Sequence, residues 1–236
     1  MRPIGFSTGA LACGDFARGL DMIRRHGLQV VELSALRRAE LIPMLNAIPQ
    51  LDLADFHYIS IHAPSSFEPS WEATLCSRLR DQIGHRWPIV VHPDVINDFG
   101  LWRELGELVC IENMDKRKPI GRTAEELASV FHKLPDATFC FDIGHARQVD
   151  LTMTEAYLIL REFGPRLRQV HVSEVNSRSK HDALSYSSMI AFREVSHLIP
   201  DHVPLILETP VEENDMDTEI EKVREALPLN LRTMVA

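Results

Sequence analysis

The chain has 236 residues, 45% of them hydrophobic and 25% charged, with a formal net charge of −9 at pH 7. That length suits one domain with a large core. The negative balance disfavours broad contact with nucleic acid or an anionic membrane, and no run approaches the roughly 18 apolar residues that span a bilayer.

Taken in chain order, short β-rich runs alternate with amphipathic stretches. "PIGFS" from Pro3 is followed by a helical pattern over Asp15–His26, then by "LQVVELS" from Leu28, "YISIHA" from Tyr58 and "PIVVHP" from Pro88. "LVCIEN" from Leu108 precedes a helix over Thr123–His132, where Thr123 and Glu126 have capping-box spacing. "TFCFDI" from Thr138, a helix over Thr152–Phe163, "LRQVHVS" from Leu167, a helix over Tyr186–Leu198 and "VPLILET" from Val203 complete the series.

Eight strands alternating with helices at about 30 residues per unit predict a (β/α)8 TIM barrel. The barrel is expected over residues 1–227, with 228–236 as a short C-terminal tail. A doubly wound open sheet is the rival, but "GFSTGALACG" is a poor G-x-G-x-x-G phosphate loop. The four cysteines, Cys13, Cys76, Cys110 and Cys140, form no C-x-x-C pair, and "MRPIGFSTGALACGDF" has no unbroken signal-peptide core. Reduced thiols and a cytoplasmic location are the expectation.

Seven of the eight strands carry a titratable residue near the C-terminal end: Glu32, His62, His92, Glu112, Asp142, His171 and Glu208. In this architecture those ends surround one mouth. One histidine or aspartate at a strand end is more often a hydrogen-bonded structural group or a cap. Seven at the same end would crowd carboxylates into a low-dielectric pocket, which a divalent cation relieves. Residues two apart on a strand face the same side, so Cys110 should lie beneath Glu112 and Cys140 beneath Asp142 as core filler.

With "SIHAP", "VVHPD", "CIENMD", "FDIGHA", "HVSE" and "LILETP" in this order, the chain resembles the xylose isomerase-like TIM-barrel superfamily. That group includes sugar isomerases, ketose 3-epimerases and endonuclease IV. The resemblance runs from about Ser60 through the run that begins at Leu205. It implies a metal site of Glu112, Asp142, His171 and Glu208, compatible with Mn²⁺, Zn²⁺, Mg²⁺ or Co²⁺. Glu112 and Glu208 would also be the acid–base pair. His145 would bind substrate, and Arg178 would orient substrate hydroxyls, although it stands one residue later than in the epimerases.

The endonuclease IV resemblance implies more metal: His62 and His92 with Glu112 at one site, and His145 with His181 at a third. The aspartate that the third site needs is replaced by Ser179. Glu174 or Asp182 would have to compensate. Lys116, Arg117 and Lys118, just past Glu112, are a solvated loop in the bland case and a phosphate or carboxylate grip in the functional one. Glu32 has no clear place in either metal set, and an ion-pair role suits it at least as well.

Two functions follow from the resemblance. The first is a metal-dependent isomerase or epimerase of a small sugar or sugar phosphate, moving a proton through an enediolate. The alternative is a two- or three-metal phosphodiesterase of the apurinic-site nuclease type. The absence of a basic stripe and the residue at Ser179 favour the first, with a small-molecule partner rather than nucleic acid or membrane.

Overall fold

The computed structural model describes residues 2–84 and 86–230. Ten strands occur among them: β1 Ile4–Ser7, β2 Val30–Ser34, β3 Tyr58–His62, β4 Ile89–Val91, β5 Val109–Glu112, β6 Thr138–Asp142, β7 Leu167–Val172, β8 Glu174–Val175, β9 His181–Asp182 and β10 Leu205–Leu207. Eight close into a barrel in the order β1-β10-β7-β6-β5-β4-β3-β2, and every neighbouring pair is parallel. These eight are the runs expected from the sequence, each trimmed by a residue or two at its ends. The remaining pair, β8 and β9, forms an antiparallel hairpin after β7 that the sequence pattern did not disclose.

Ten helices complete the described chain: α1 Thr8–Ala12, α2 Phe16–Arg25, α3 Arg38–Ala47, α4 Glu72–Ile83, α5 Phe99–Arg103, α6 Ala124–Lys133, α7 Ile143–Val149, α8 Thr154–Phe163, α9 Tyr186–Val195 and α10 Met216–Ala226. None is long and apolar enough to cross a membrane. In α6, Leu127, Val130 and Phe131 bury one stripe, and Thr123 Oγ1 accepts a hydrogen bond from the Glu126 amide. The Glu126 carboxylate accepts from the Arg122 amide, one residue before the reciprocal capping-box donor. The four helices read from sequence match α2, α6, α8 and α9, the last continued by a short 3-10 turn over Ser196–Leu198.

Two buried carboxylates fasten helices to loops. Glu72 accepts from the amides of Asn97 and Asp98 and from Trp102 Nε1, while Glu219 accepts from the Leu184 amide and from Lys222 Nζ. Each buried acceptor is thereby satisfied, as burial demands. The expected tail begins with Pro228, whose carbonyl accepts from Arg2, and Asn230, whose amide donates to Asp201; 231–236 lie outside the described residues.

Most of the core lies between the barrel and its helices. Val90, Cys110 and Cys140 form a separate fully buried cluster. The pairing of Val90 with Cys110, and of Glu112 with Cys140, places that cluster just below the C-terminal strand ends. The two thiols pack as expected.

Candidate metal centre

The parallel barrel delivers Glu32, His62, Glu112, Asp142 and His171 on the last turns of β2, β3, β5, β6 and β7, and all five are buried. His92 follows β4 and Glu208 follows β10, where the Glu208 amide donates to the Val172 carbonyl. Residues spread over the length of the chain thus share one pocket at the C-terminal face, where barrel enzymes place their chemistry.

Glu112 sits at the centre. Its Oε2 lies 3.3 Å from His62 Nε2 and 3.2 Å from His92 Nε2; its Oε1 lies 3.3 Å from His145 Nδ1 and 3.4 Å from His171 Nδ1. His171 Nδ1 is also 3.4 Å from Glu208 Oε2. Ligand atoms of Glu112, Asp142, His171 and Glu208 lie within 4.8 Å of one another, and so do those of His62, His92 and Glu112. Glu112 belongs to both sets, one carboxylate oxygen towards each.

Asp142 has two tasks. Its Oδ1 caps α7 by accepting the His145 amide at 2.6 Å, while its Oδ2 is buried without a hydrogen-bond partner. Asn113 clamps the adjacent strand tip, donating to the Asp142 carbonyl and accepting from the Asp142 amide, both at 2.8 Å. Gly144 permits the close approach of α7 to the chain after β7: a Cβ there would stand 2.4 Å from the Ser173 carbonyl oxygen. Oδ2 faces His145 Nδ1 at 3.4 Å without a hydrogen bond, and a buried carboxylate oxygen left without one is costly. Beside two further carboxylates and an imidazole, it makes a donor set that a divalent cation would satisfy.

Glu32 serves as a support. Its Oε2 accepts from His171 Nε2 at 3.0 Å, from Gln169 Nε2 at 2.7 Å and from Ser60 Oγ at 3.2 Å. Gln169 is fixed in turn by the Tyr58 hydroxyl, which donates to its Oε1 at 2.8 Å. This chain holds the His171 ring so that Nδ1 faces Glu112 and Glu208. A carboxylate behind a ligating histidine is a recurrent way to set its tautomer and basicity. Glu32, His62, His171 and Glu208 form a further set within 4.8 Å; three hydrogen bonds converge on Glu32 Oε2, while its Oε1, like Asp142 Oδ2, is buried without a hydrogen-bond partner. The ion-pair role expected for Glu32 is the one this geometry gives it.

Electrostatics follow from burial. Burial opposes ionisation of Glu112, but His171 and His92 outweigh it and hold the carboxyl well below its usual range. Burial likewise opposes the charge on His62 and His145. Glu112 and Glu32 nevertheless lift His62 to about 9, and Asp142 with Glu112 lifts His145 to about 10. Glu32 falls to about 2 because His171 overcomes its desolvation. Burial raises Asp142 to about 6 against the pull of His145, and it also raises Glu208. Imidazolium protons therefore balance carboxylates where a metal cation would otherwise do so.

The residues of the expected third site are differently engaged. His145 Nδ1 donates to the Asn113 carbonyl at 3.0 Å, and His181 Nδ1 pairs with Ser173 Oγ at 2.7 Å. Ser179, at φ 53°, donates its hydroxyl to Asp115 Oδ1 and accepts from Gln148 Nε2. Glu174 is taken up by Arg147, Ser185 and Ser188, and Asp182 by Asn176. Among the described residues, no set of three ligand atoms joins His145 to His181. Asp115, which the sequence pattern did not single out, is the carboxylate that Ser179 contacts.

The basic loop is partly spent. Lys118 Nζ lies 2.8 Å from Asp94, and Arg117 reaches Asp115 at 3.6 Å and the Ser179 carbonyl at 3.3 Å. Lys116 and Arg178 are exposed.

No family model and no curated protein matches the chain. Solved structures do. A xylose isomerase-like TIM-barrel protein from Mycobacterium smegmatis, in complex with magnesium, is 13% identical with a TM-score of 0.58, covering 96% of this chain and 98% of that one. AsbF of Bacillus anthracis, described as a 3-DHS dehydratase, is 12% identical with a TM-score of 0.57 over 95% and 98%. An Anabaena variabilis protein described as a sugar phosphate isomerase/epimerase is 14% identical with a TM-score of 0.53 over 93% and 88%. The fold is a xylose isomerase-like (β/α)8 barrel.

Proposed function

We propose that the chain is a divalent-metal-dependent isomerase or epimerase of a small hydroxy-carbonyl compound. The observation that carries this is the convergence of Glu112, Asp142, His171 and Glu208 within 4.8 Å at the C-terminal strand ends. The magnesium in the Mycobacterium structure and the isomerase/epimerase description of the Anabaena protein support it.

Glu112, Asp142, His171 and Glu208 would hold the metal, which supplies Lewis-acid polarisation of adjacent substrate oxygens when bound. Glu208 stands at the pocket rim beside His171, with burial raising its carboxyl pKa, and would exchange a proton with substrate carbon. Glu112 is its acid–base partner on the inner side. His145, kept in one orientation by the Asn113 carbonyl, offers Nε2 for a substrate hydroxyl. Arg178, Lys116 and Arg117 would act at the rim, and Lys118 only by leaving Asp94.

A second function, a metal-dependent phosphodiesterase, is favoured by one observation: His62, His92 and Glu112 form a second ligand set sharing Glu112. Ser179 in place of an acid and the net charge of −9 weigh against it. The test is solvent deuterium incorporation, by NMR, into ketoses and their phosphates incubated with metal-loaded protein in D₂O. Exchange at the carbon beside the carbonyl is expected, and Glu208→Gln should abolish it. No exchange in any ketose, together with hydrolysis of bis(p-nitrophenyl) phosphate, would transfer the assignment to the second function.

A further inference from the structure

A cavity of about 340 Å³ opens beside the metal centre, with Glu208 and His181 on one side, Ser34, Gly9 and Leu36 on another, and Lys180 at its edge. Its volume is at the low end of small-molecule sites, which span roughly 300–1,000 Å³. A short ligand fits it better than a polymer.

Two of its polar groups are uncommitted. Ser34 is 3% exposed, and its Oγ has no hydrogen-bond partner. A buried hydroxyl left unpaired costs free energy unless a ligand completes it. Gly9 leaves room for this hydroxyl at the cavity wall, since a Cβ at that position would lie 2.7 Å from Ser34 Oγ. Lys180 is the one lysine or arginine lining the cavity, and among the described residues its ammonium makes no ion pair. Lys118 and Arg117, nearer in sequence to Glu112, are instead tied to Asp94 and Asp115.

We propose that the substrate carries a terminal oxyanion, a carboxylate or a phosphate, seated between Lys180 and Ser34 while its hydroxy-carbonyl end faces Glu208. Lys180 neutralises the charge, and Ser34 Oγ donates a hydrogen bond to an anionic oxygen. This assignment rests on the metal-dependent function above for the orientation of the substrate, but not for the oxyanion seat itself. Lys180 lies immediately before His181 on the turn between β8 and β9, so the hairpin carries both a wall of the metal centre and the charge that selects the substrate.

Isothermal titration with three matched probes tests this: erythritol, D-erythronate and D-erythrose 4-phosphate. On metal-loaded wild type, at least one anion should bind about tenfold more tightly than erythritol. Lys180→Ala should remove most of that preference and Ser34→Ala a smaller part. Which anion gains identifies carboxylate or phosphate as the source. Equal binding of all three probes, no binding of either anion, or a preference intact in both variants would overturn the proposal. Metal content measured on the same samples separates the two claims. A wild type that holds no metal defeats the metal-dependent function, whereas the wild-type-to-variant difference for each anion still decides the oxyanion seat.

Discussion

The residues one step below the metal centre divide into two halves that do different work. Under His92, Glu112 and Asp142 lie Val90, Cys110 and Cys140, all fully buried and packed on one another. Under His62 and His171 lie Ser60 and Gln169, which hold Glu32 and, through it, the His171 ring. The strand period of two puts every one of these pairs on the same face. The β4–β6 half supports its ligands by packing; the half built from β2, β3 and β7 supports its ligand by hydrogen bonds. The contrast teaches that a barrel floor can be an apolar filler or an orienting scaffold, depending on whether the ligand above it must be aimed. Asp142 is aimed by capping its own helix, so the floor beneath it can be a thiol.

The largest expected effect comes from the residue that serves both halves. Glu112→Ala should reduce bound metal per chain to background in elemental mass spectrometry and abolish turnover, since the Asp142 set proposed to hold the metal and the His62–His92 set both include Glu112. Metal retained at the wild-type level would mean that the two sets do not work as assigned. Next comes the scaffold half: Glu32→Gln should weaken metal affinity by about 10–100-fold while leaving stoichiometry unchanged. Competition with a chromophoric chelator measures this, and an unchanged affinity would reduce Glu32 to a structural ion pair.

In the packed half the expectation inverts. Cys140→Ser places a hydroxyl in the buried cluster with Val90 and Cys110 and should cost about 1–3 kcal/mol in urea denaturation, with metal stoichiometry unaltered. Loss of metal in that variant would erase the distinction between the halves.

The smallest effect lies away from the barrel interior. Asp150 accepts hydrogen bonds from the amides of Thr152 and Glu155. Burial opposes ionisation, but these bonds outweigh it and hold the carboxyl below its usual range. Its contribution is therefore complete above the unfolded pKa of about 3.9 and fades as pH falls through the lower folded value. Asp150→Ala should cost about 1 kcal/mol at neutral pH and less as acid titrates the native side chain. A stability difference that grows in acid would contradict the assignment.

What was legible in the sequence depended on distance. The eight barrel strands announce themselves locally as short apolar runs, seven of them ending near a histidine or a carboxylate, and the regular interval between such ends implies a shared mouth. The Cys110 and Cys140 positions followed from the strand period alone. The partner in the ion pair of Glu32 did not, because His171 is 139 residues away and nothing near either one marks the contact. The β8–β9 hairpin was hidden for a different reason. Its strands, Glu174–Val175 and His181–Asp182, are too short to show a periodic pattern. Lys180 and Ser34 were passed over with it, since only the hairpin and the end of β2 bring them to one cavity. In the same way, the sequence leaves the basic loop after Glu112 open between a solvated loop and an anion grip, because Asp94 and Asp115, which hold two of its three cations, mark neither contact locally.

The central claim is that these strand ends form a metal centre, and metal stoichiometry tests it most directly. Wild-type protein would be stripped with chelator, reloaded separately with Mn²⁺, Zn²⁺, Mg²⁺ or Co²⁺, desalted and analysed for metal per chain alongside Glu112→Ala. At least one divalent ion per wild-type chain, absent from the variant, is the predicted result. Two ions would assign His62 and His92 to a second site. A wild-type chain that takes up none of the four metals would contradict the account.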